Sequence, residues 1–336
     1  MTFHRWLHRL AVSSAGVIVV LYLITCQLGD RVWWALPFLY GPRWFLSLPL
    51  LGVIPWLLVA PRRGIIPACV AATLVIFGLL DFRLGFGRLT VGAGTPFRVL
   101  ELNAGASSGG SPSPGAIRAE FQRLSPDLIV VAECGNGPLR DTLRAISGFE
   151  FRLSVTSLCL LSRGRVLAWE ERDPMDIWIR SGAGAIVRAV VESPAGALRI
   201  GLVHLETPRD ALDNYPDLST IPTLGDITRA NMRQRESESR AALEWILAAP
   251  ERPTIIAGDF NLPVESAIFR RYWGDFRDAY GRAGVGSGHT KETRWWGSRI
   301  DHILTSSDVG TRQSFIGRDV GSDHLPLVAD LILPRR

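Results

Sequence analysis

The sequence predicts an α/β (α+β) domain of about 240 residues, large enough for a substantial core, behind an N-terminal transmembrane helical region. Three observations predict it. Hydrophobic residues make up 47% of the 336-residue chain and charged residues only 21%, which excludes a disordered chain. Three apolar stretches crowd residues 1–81. From residue 96 onward, short strand-like apolar runs alternate with helical ones.

The membrane region comes first. The stretch Leu10 to Leu28 carries no charge and is long enough to cross a bilayer. A second runs over residues 44–60 and a third over 65–80. Pro49, Pro55 and Pro67 fall inside them, which membrane-spanning helices tolerate when neighbours satisfy the freed backbone. Trp33, Trp34, Tyr40 and Trp44 flank the first connection, where an interfacial aromatic belt belongs. A cleaved signal peptide is the competing reading, since Met1 to Arg9 is basic. No small-x-small site follows, Thr25 is a poor residue before Cys26, and two more apolar stretches come after, so retention in the membrane is favoured. Arg5, Arg9 and the expected tight turn Pro61-Arg62-Arg63-Gly64 read as cytoplasmic. With three spans, a multi-pass protein of bacterial inner-membrane type holds the rest of the chain outside the cytoplasm.

A Gly-rich linker is expected over 82–95, and a folded α/β or α+β domain over 96–336. Phe97 to Asn103 and Leu128 to Glu133 read as buried strands, and Pro138 to Ile146 as a helix. Ala185 to Glu192 and Ala197 to Leu205 read as a hairpin around Ser193-Pro194-Ala195-Gly196. Arg229 to Ala249 reads as a helix. Thr254 to Ala257, Ile300 to Thr305 and Leu327 to Leu333 are again strand-like.

Net charge is +5, but residues before 96 hold eight Arg against two Asp, and the remainder holds 29 basic and 30 acidic residues. The domain therefore lacks an overall field for gathering nucleic acid. Four Cys exclude a disulfide scaffold. Cys134 and Cys159 read as two buried free thiols, although a compartment outside the cytoplasm permits their pairing.

Polar residues repeatedly end or interrupt the strands. Asn103 closes the first strand, Glu133 follows the next, and His204 comes late in the hairpin's second arm. Asp259 and Asn261 follow Thr254 to Ala257, Asp301 opens the Ile300 to Thr305 run, and Asp323-His324 precedes the last strand. Burying such groups singly is costly unless they are paired or bind a metal. If the strand ends converge, the oxygen-rich set suits Mg²⁺ or Mn²⁺, and there is no clustered Cys/His spacing for zinc.

These residues resemble a known superfamily, the endonuclease/exonuclease/phosphatase (DNase I-like) enzymes. LELNAG around Asn103, VVAEC around Glu133, GDFN at 258–261, RIDHI at 299–303 and SDHLP at 322–326 stand in the family's order. One departure is Ala132, where the family usually has Gln before the Glu. The resemblance implies a two-sheet β-sandwich flanked by helices and metal-assisted attack of water on a phosphate ester. It implies that Glu133 binds the metal, helped by Asn103 and Asp323. It makes Asp259 the group that positions or deprotonates the water, and has Asn261 hold a phosphate oxygen or that water. His324 is to donate to the phosphate, oriented by Asp301. His204 matches the His of DNase-like and sphingomyelinase-like members, where abasic-site endonucleases carry Tyr.

His302 follows Asp301 on one strand and so points to the opposite face, outside the site. The stretch between Glu206 and Arg229 shows little regular pattern and carries Asp210, Asp213, Asp217 and Asp226, a poor surface for a nucleic-acid backbone. Arg294, Trp295 and Trp296 are candidates for stacking on a substrate. The reading is a membrane-anchored phosphoesterase whose partners are the lipid bilayer and a phosphoester. A lipid headgroup or small phosphoester is favoured, with a nuclease and a non-catalytic binding domain as the alternatives.

Overall fold

The computed structural model describes residues 2–59, 61–105, 112–135, 137–175, 184–213, 221–250, 253–293 and 296–335. It divides into one unit of Met1–Phe82 with Glu265–Ala267 and a second of Arg83–Val264 with Ile268–Arg336.

Among the described residues of the first unit, one helix is long and apolar enough to cross a membrane: Phe3–Leu28, 26 residues with mean hydropathy 2.0. The expected second span, 44–60, corresponds to Arg43–Val59. Trp33–Tyr40 and Arg43–Val59 meet at 94° and pass the same test only as a pair. Pro42 lies at the bend, where its missing N–H and fixed φ stop a helix from running through. The expected third span is the shorter apolar helix Ile65–Leu79. Pro61-Arg62-Arg63-Gly64, expected as a turn, instead begins the helix Pro61–Thr73. Proline at a first helical position loses no intrahelical bond.

Alternation of side chains along the strands decides the architecture of the second unit. In chain order the strands are β1 (Thr95–Asn103), β2 (Leu128–Ala132), β3 (Glu150–Leu153), β4 (Cys159–Ser162), β5 (Val166–Glu171) and β6 (Ala185–Ser193). Then come β7 (Gly196–His204), β8 (Thr254–Asp259), β9 (Arg277–Asp278), β10 (Asp301–Thr305), β11 (Gly310–Ile316) and β12 (Leu327–Leu333). They form two six-stranded sheets, ordered β11-β12-β1-β2-β4-β3 and β9-β10-β8-β7-β6-β5. Both are mixed: β1 runs parallel to β2 and β7 parallel to β8, while the remaining pairs are antiparallel.

Phe97, Val99, Val130 and Leu160 of one sheet meet Val187, Ile200, Ala257 and Ile303 of the other in a buried core. On the outer face of the first sheet, Leu100, Leu102 and Ile129 pack on Ile117, Phe121 and Leu143 of helices Pro114–Leu124 and Gly137–Arg144. The other sheet's outer face, with Ile186 and Ile256, packs on Ala242 and Ile246 of helix Ile221–Leu247. Each layer thus covers an apolar face that the next requires, giving helix, sheet, sheet, helix.

That last helix starts at Ile221 rather than at the expected Arg229. Pro222 and Gly225 disguise its first turns, although proline is well suited there. Short elements also occupy the expected linker: Arg83–Leu84 pairs with Val285–Gly286, and Phe86–Thr90 forms a 3₁₀ turn.

Cys134 and Cys159 are joined by a disulfide, which corrects the expectation of free thiols. The cause is strand order. β4 pairs antiparallel with β2, setting Cys159 opposite Val131, and the chain leaving β2 stays alongside, with Cys134 N–H donating to Ser157 O at 3.1 Å. The bridge closes a loop with a sequence separation of 25, for which stabilisation of about 3 kcal/mol is typical. The double variant Cys134→Ser/Cys159→Ser should therefore melt about 5–10 °C lower. Differential scanning calorimetry of oxidised wild type against the variant checks this, and an unchanged Tm would show the bridge to be energetically idle.

Candidate active site

Register brings the polar strand ends into one row. His204 of β7 lies opposite Asp259 of β8, and Asp259 lies opposite Asp301 of β10. In the facing sheet Asn103 lies opposite Ala132, so Glu133 leaves β2 beside it. Gly258 makes the row possible. Its φ is +146°, and a Cβ there would stand 1.8 Å from Val203 O, so no other residue lets β8 approach β7 this closely.

Two side chains of the site sit on left-handed backbone. Glu133 has φ +55° and Asn261 φ +51°, a conformation that non-glycine residues adopt at some energetic cost and that recurs at functional sites. The Asn261 turn is held by its own N–H donating to Asp259 Oδ1 at 2.8 Å, by its side-chain amide donating to Leu205 O at 2.8 Å, and by Arg235 Nη2 donating to Asn261 O at 3.0 Å.

Asn103 links the two sheets. Its Nδ2 donates to Asp259 Oδ2 at 2.9 Å and to Glu133 Oε1 at 3.2 Å, while its Oδ1 accepts from Gly105 N at 2.8 Å. His204 Nε2 stands 3.8 Å from Glu133 Oε1 and 3.9 Å from Asp259 Oδ2. His324 Nε2 stands 3.9 Å from the same Asp259 oxygen, and its Nδ1 lies 2.8 Å from Asp301 Oδ2. Ser322 Oγ donates to the backbone oxygens of Asn103 and Gly105 and accepts from His324 N–H, so the SDHLP segment is tied to β1. Glu133 is half exposed, whereas Asp259, Asp301 and His324 are buried. The row therefore has an open side at Glu133 and a closed side at Asp301.

Electrostatics follow from this packing. Burial, reinforced by the charge of Asp301, raises the Asp259 carboxyl above the usual carboxylate range. Burial would raise Asp301 too, but His324 beside it outweighs that and holds it low. Burial pulls His324 down, while the charge and hydrogen bond of Asp301 pull it up more strongly, leaving it above the ordinary imidazole value.

The structure brings together Asn103, Glu133, His204, Asp259, Asn261, Asp301 and His324. Asp323 is also present, but its carboxylate is engaged by Lys291 Nζ. His302 lies on the far face as expected, buried against Phe260 and Phe269, with Nε2 2.8 Å from Leu262 O. Of the stacking candidates, Arg294 and Trp295 lie outside the described residues, as does Asp217 of the acidic stretch.

Sequence reasoning missed three residues of the site. Thr290 Oγ1 accepts from the N–H groups of Ile300 and Asp301 and so fixes the start of β10. Lys291 is the second. The third is Glu101, fully buried on β1 two residues before Asn103, with neither carboxylate oxygen hydrogen-bonded. Burial, then Asp301 and Asp259, raise it well above the usual range. A charged residue at an inward position of a strand was the available signal.

The donor chemistry fits a hard divalent cation. Asp259, Asp301 and His324 offer ligand atoms all within 4.8 Å of one another, and Glu133 adds an exposed carboxylate. Anions gathered this closely in a buried site call for a compensating positive charge.

Known proteins agree with the fold. A crystal structure of an endonuclease/exonuclease/phosphatase family protein from Bacteroides thetaiotaomicron aligns at TM-score 0.52 and 15% identity, covering 72% of this chain and 99% of that one. A humanised D. rerio TDP2 aligns at 0.53 and 17%, covering 70% and 98%. The endonuclease/exonuclease/phosphatase from Beutenbergia cavernae aligns at 0.50 and 18%, covering 71% and 72%. No curated protein matches the chain. The model of the Endonuclease/Exonuclease/phosphatase family matches residues 100–324. The chain belongs to that family, whose members are hydrolases acting on phosphate esters.

Proposed function

We propose that the chain is a membrane-attached, Mg²⁺- or Mn²⁺-dependent phosphoesterase whose substrate is a lipid headgroup or a small phosphoester. The observation that carries this reading is the row His204, Asp259, Asp301 with His324 and Glu133 around it. Glu133 and Asp259 would hold the cation, positioned by Asn103, whose Nδ2 donates to both carboxylates, and the cation's charge would offset the negative charge developing on the phosphoryl oxygens. Asp259 takes the proton of the attacking water. His324 donates from Nε2 to a phosphoryl oxygen, and Asp301 fixes its tautomer by holding Nδ1–H. His204 stands between Glu133 and Asp259 and steers the phosphoryl group. Asn261 holds the turn that carries Asp259, and a role toward the phosphate would require it to release Leu205.

The near-neutral domain favours small or membrane-borne phosphoesters over nucleic acid, which is gripped by many Lys/Arg–phosphate contacts. Full-length protein in detergent micelles should hydrolyse bis-(p-nitrophenyl) phosphate with Mg²⁺ or Mn²⁺ and stop when EDTA is added. Turnover that persists in EDTA sinks the metal reading. A panel of phospholipids, soluble phosphoesters, DNA and RNA then ranks substrates, and a preference for duplex DNA promotes the nuclease.

We further propose an inner-membrane location with the catalytic domain outside the cytoplasm. Arg5 and Arg9 precede the first span on the expected cytoplasmic side. One span or three then leave the domain outside, whereas two would return it to the cytoplasm. The disulfide supports an odd number, since such bonds persist in oxidising compartments. A phosphatase reporter fused at Arg336 should be active and a reporter that works only in the cytoplasm silent. The reverse pattern overturns the orientation.

A further inference from the structure

Lys291 is the one lysine among 37 basic residues, and it lies in the site. Its ammonium pairs with Asp323, their side chains only 18% and 11% exposed. The backbone holds this arrangement. Lys291 bridges His324 antiparallel, Glu292 N–H donates to Asp323 O at 3.1 Å, and Leu325 N–H donates to Thr290 O. Residues 290–292 thus run alongside 323–325, and the ammonium is close enough for its charge to be felt at His324. Thr290, next to Lys291, fixes Asp301, so one short segment sets both the cation and the partner of His324.

This placement has an electrostatic consequence. A carboxylate already neutralised by a nearly enclosed ammonium is a poor ligand for a dication, because the two cations would repel at short range. The open acidic corner is on the other side, at Glu133, Asn103 and Asp259. A lysine suits the position better than an arginine, being a compact point charge with three rotatable donors rather than a planar fork.

We propose that the Lys291 ammonium, held by Asp323 beside His324, replaces a second divalent cation, so that the site takes one metal ion on the Glu133 side and meets the phosphoryl oxygens with a lysine on the other. This rests on the phosphoesterase reading above. It makes Lys291 a residue that contacts substrate, and removes Asp323 from the metal ligands.

The test counts Mn²⁺ bound to full-length protein in micelles, by calorimetry and by the EPR signal of free Mn²⁺. Wild type should bind one ion. Lys291→Met should bind a second, weaker ion that disappears again in Lys291→Met/Asp323→Asn. Its turnover should fall about 10²-fold at low Mn²⁺ and recover in part as Mn²⁺ is raised. Lys291→Arg, which keeps the charge, should stay at one ion. Melting curves identify any variant that fails to fold, and the wild-type stoichiometry stands without variants. Two ions in wild type, or one ion and unchanged turnover in Lys291→Met, overturn the proposal while leaving the phosphoesterase reading intact. Absence of both metal binding and hydrolysis in wild type would instead remove the reading beneath it.

Discussion

His324→Ala should lower kcat by about 10²–10⁴-fold, the range for loss of a positioned proton donor, with metal affinity little changed. The imidazole is buried, its Nδ1 is held by Asp301 at 2.8 Å, and its Nε2 stands 3.9 Å from Asp259. The pH profile carries the same signature. Burial lowers the His324 pKa, the Asp301 charge and hydrogen bond raise it by more, and the net shift is upward. The donor therefore keeps its proton through the ordinary imidazole range, and activity falls only as pH rises through the raised value. That alkaline limb should vanish in His324→Ala. A variant with an unchanged limb and undiminished kcat would remove His324 from the chemistry.

Asp259→Asn should be at least as damaging, about 10²–10⁴-fold from loss of the base alone. The carboxylate also accepts from Asn103 and from the Asn261 N–H, so asparagine would set an NH₂ against a donor already in place. Burial and the Asp301 charge raise its pKa, so the base form is lost as pH falls through a value above the usual carboxylate range, giving the acid limb. Steady-state kinetics with saturating Mg²⁺ check both points. Near-wild-type kcat in Asp259→Asn, with its fold intact by circular dichroism, would assign the base elsewhere.

The gathering of these residues was legible in the sequence because the polar residues end, follow, open or precede short apolar strands, where they stand out against the run. Asn103, Asp259 and Asp301 could be placed without any knowledge of strand order. What required strand order was not legible. Cys134 and Cys159 pair only because β4 enters the sheet beside β2, a neighbour that no local pattern announces. Lys291 gains its role only because residues 290–292 lie along 323–325. Glu101 was hidden within an apolar run, although its inward parity could be counted. In the N-terminal unit, hydropathy located the apolar stretches but not where Pro42 and Pro61 break or begin helices.

The row formed by His204, Asp259 and Asp301 across three adjacent strands also works as a proofreading mark for folding. Its members face inward by strict alternation, so a one-residue slip of β8 would turn Asp259 toward the helix layer and send Ala257 and Ile255 after it. The same slip would put Gly258, the only residue that fits against Val203 O, out of place. Misalignment is therefore penalised twice, and a mispaired sheet has no assembled site. The ladder that completes the fold is the one that lines up these three side chains.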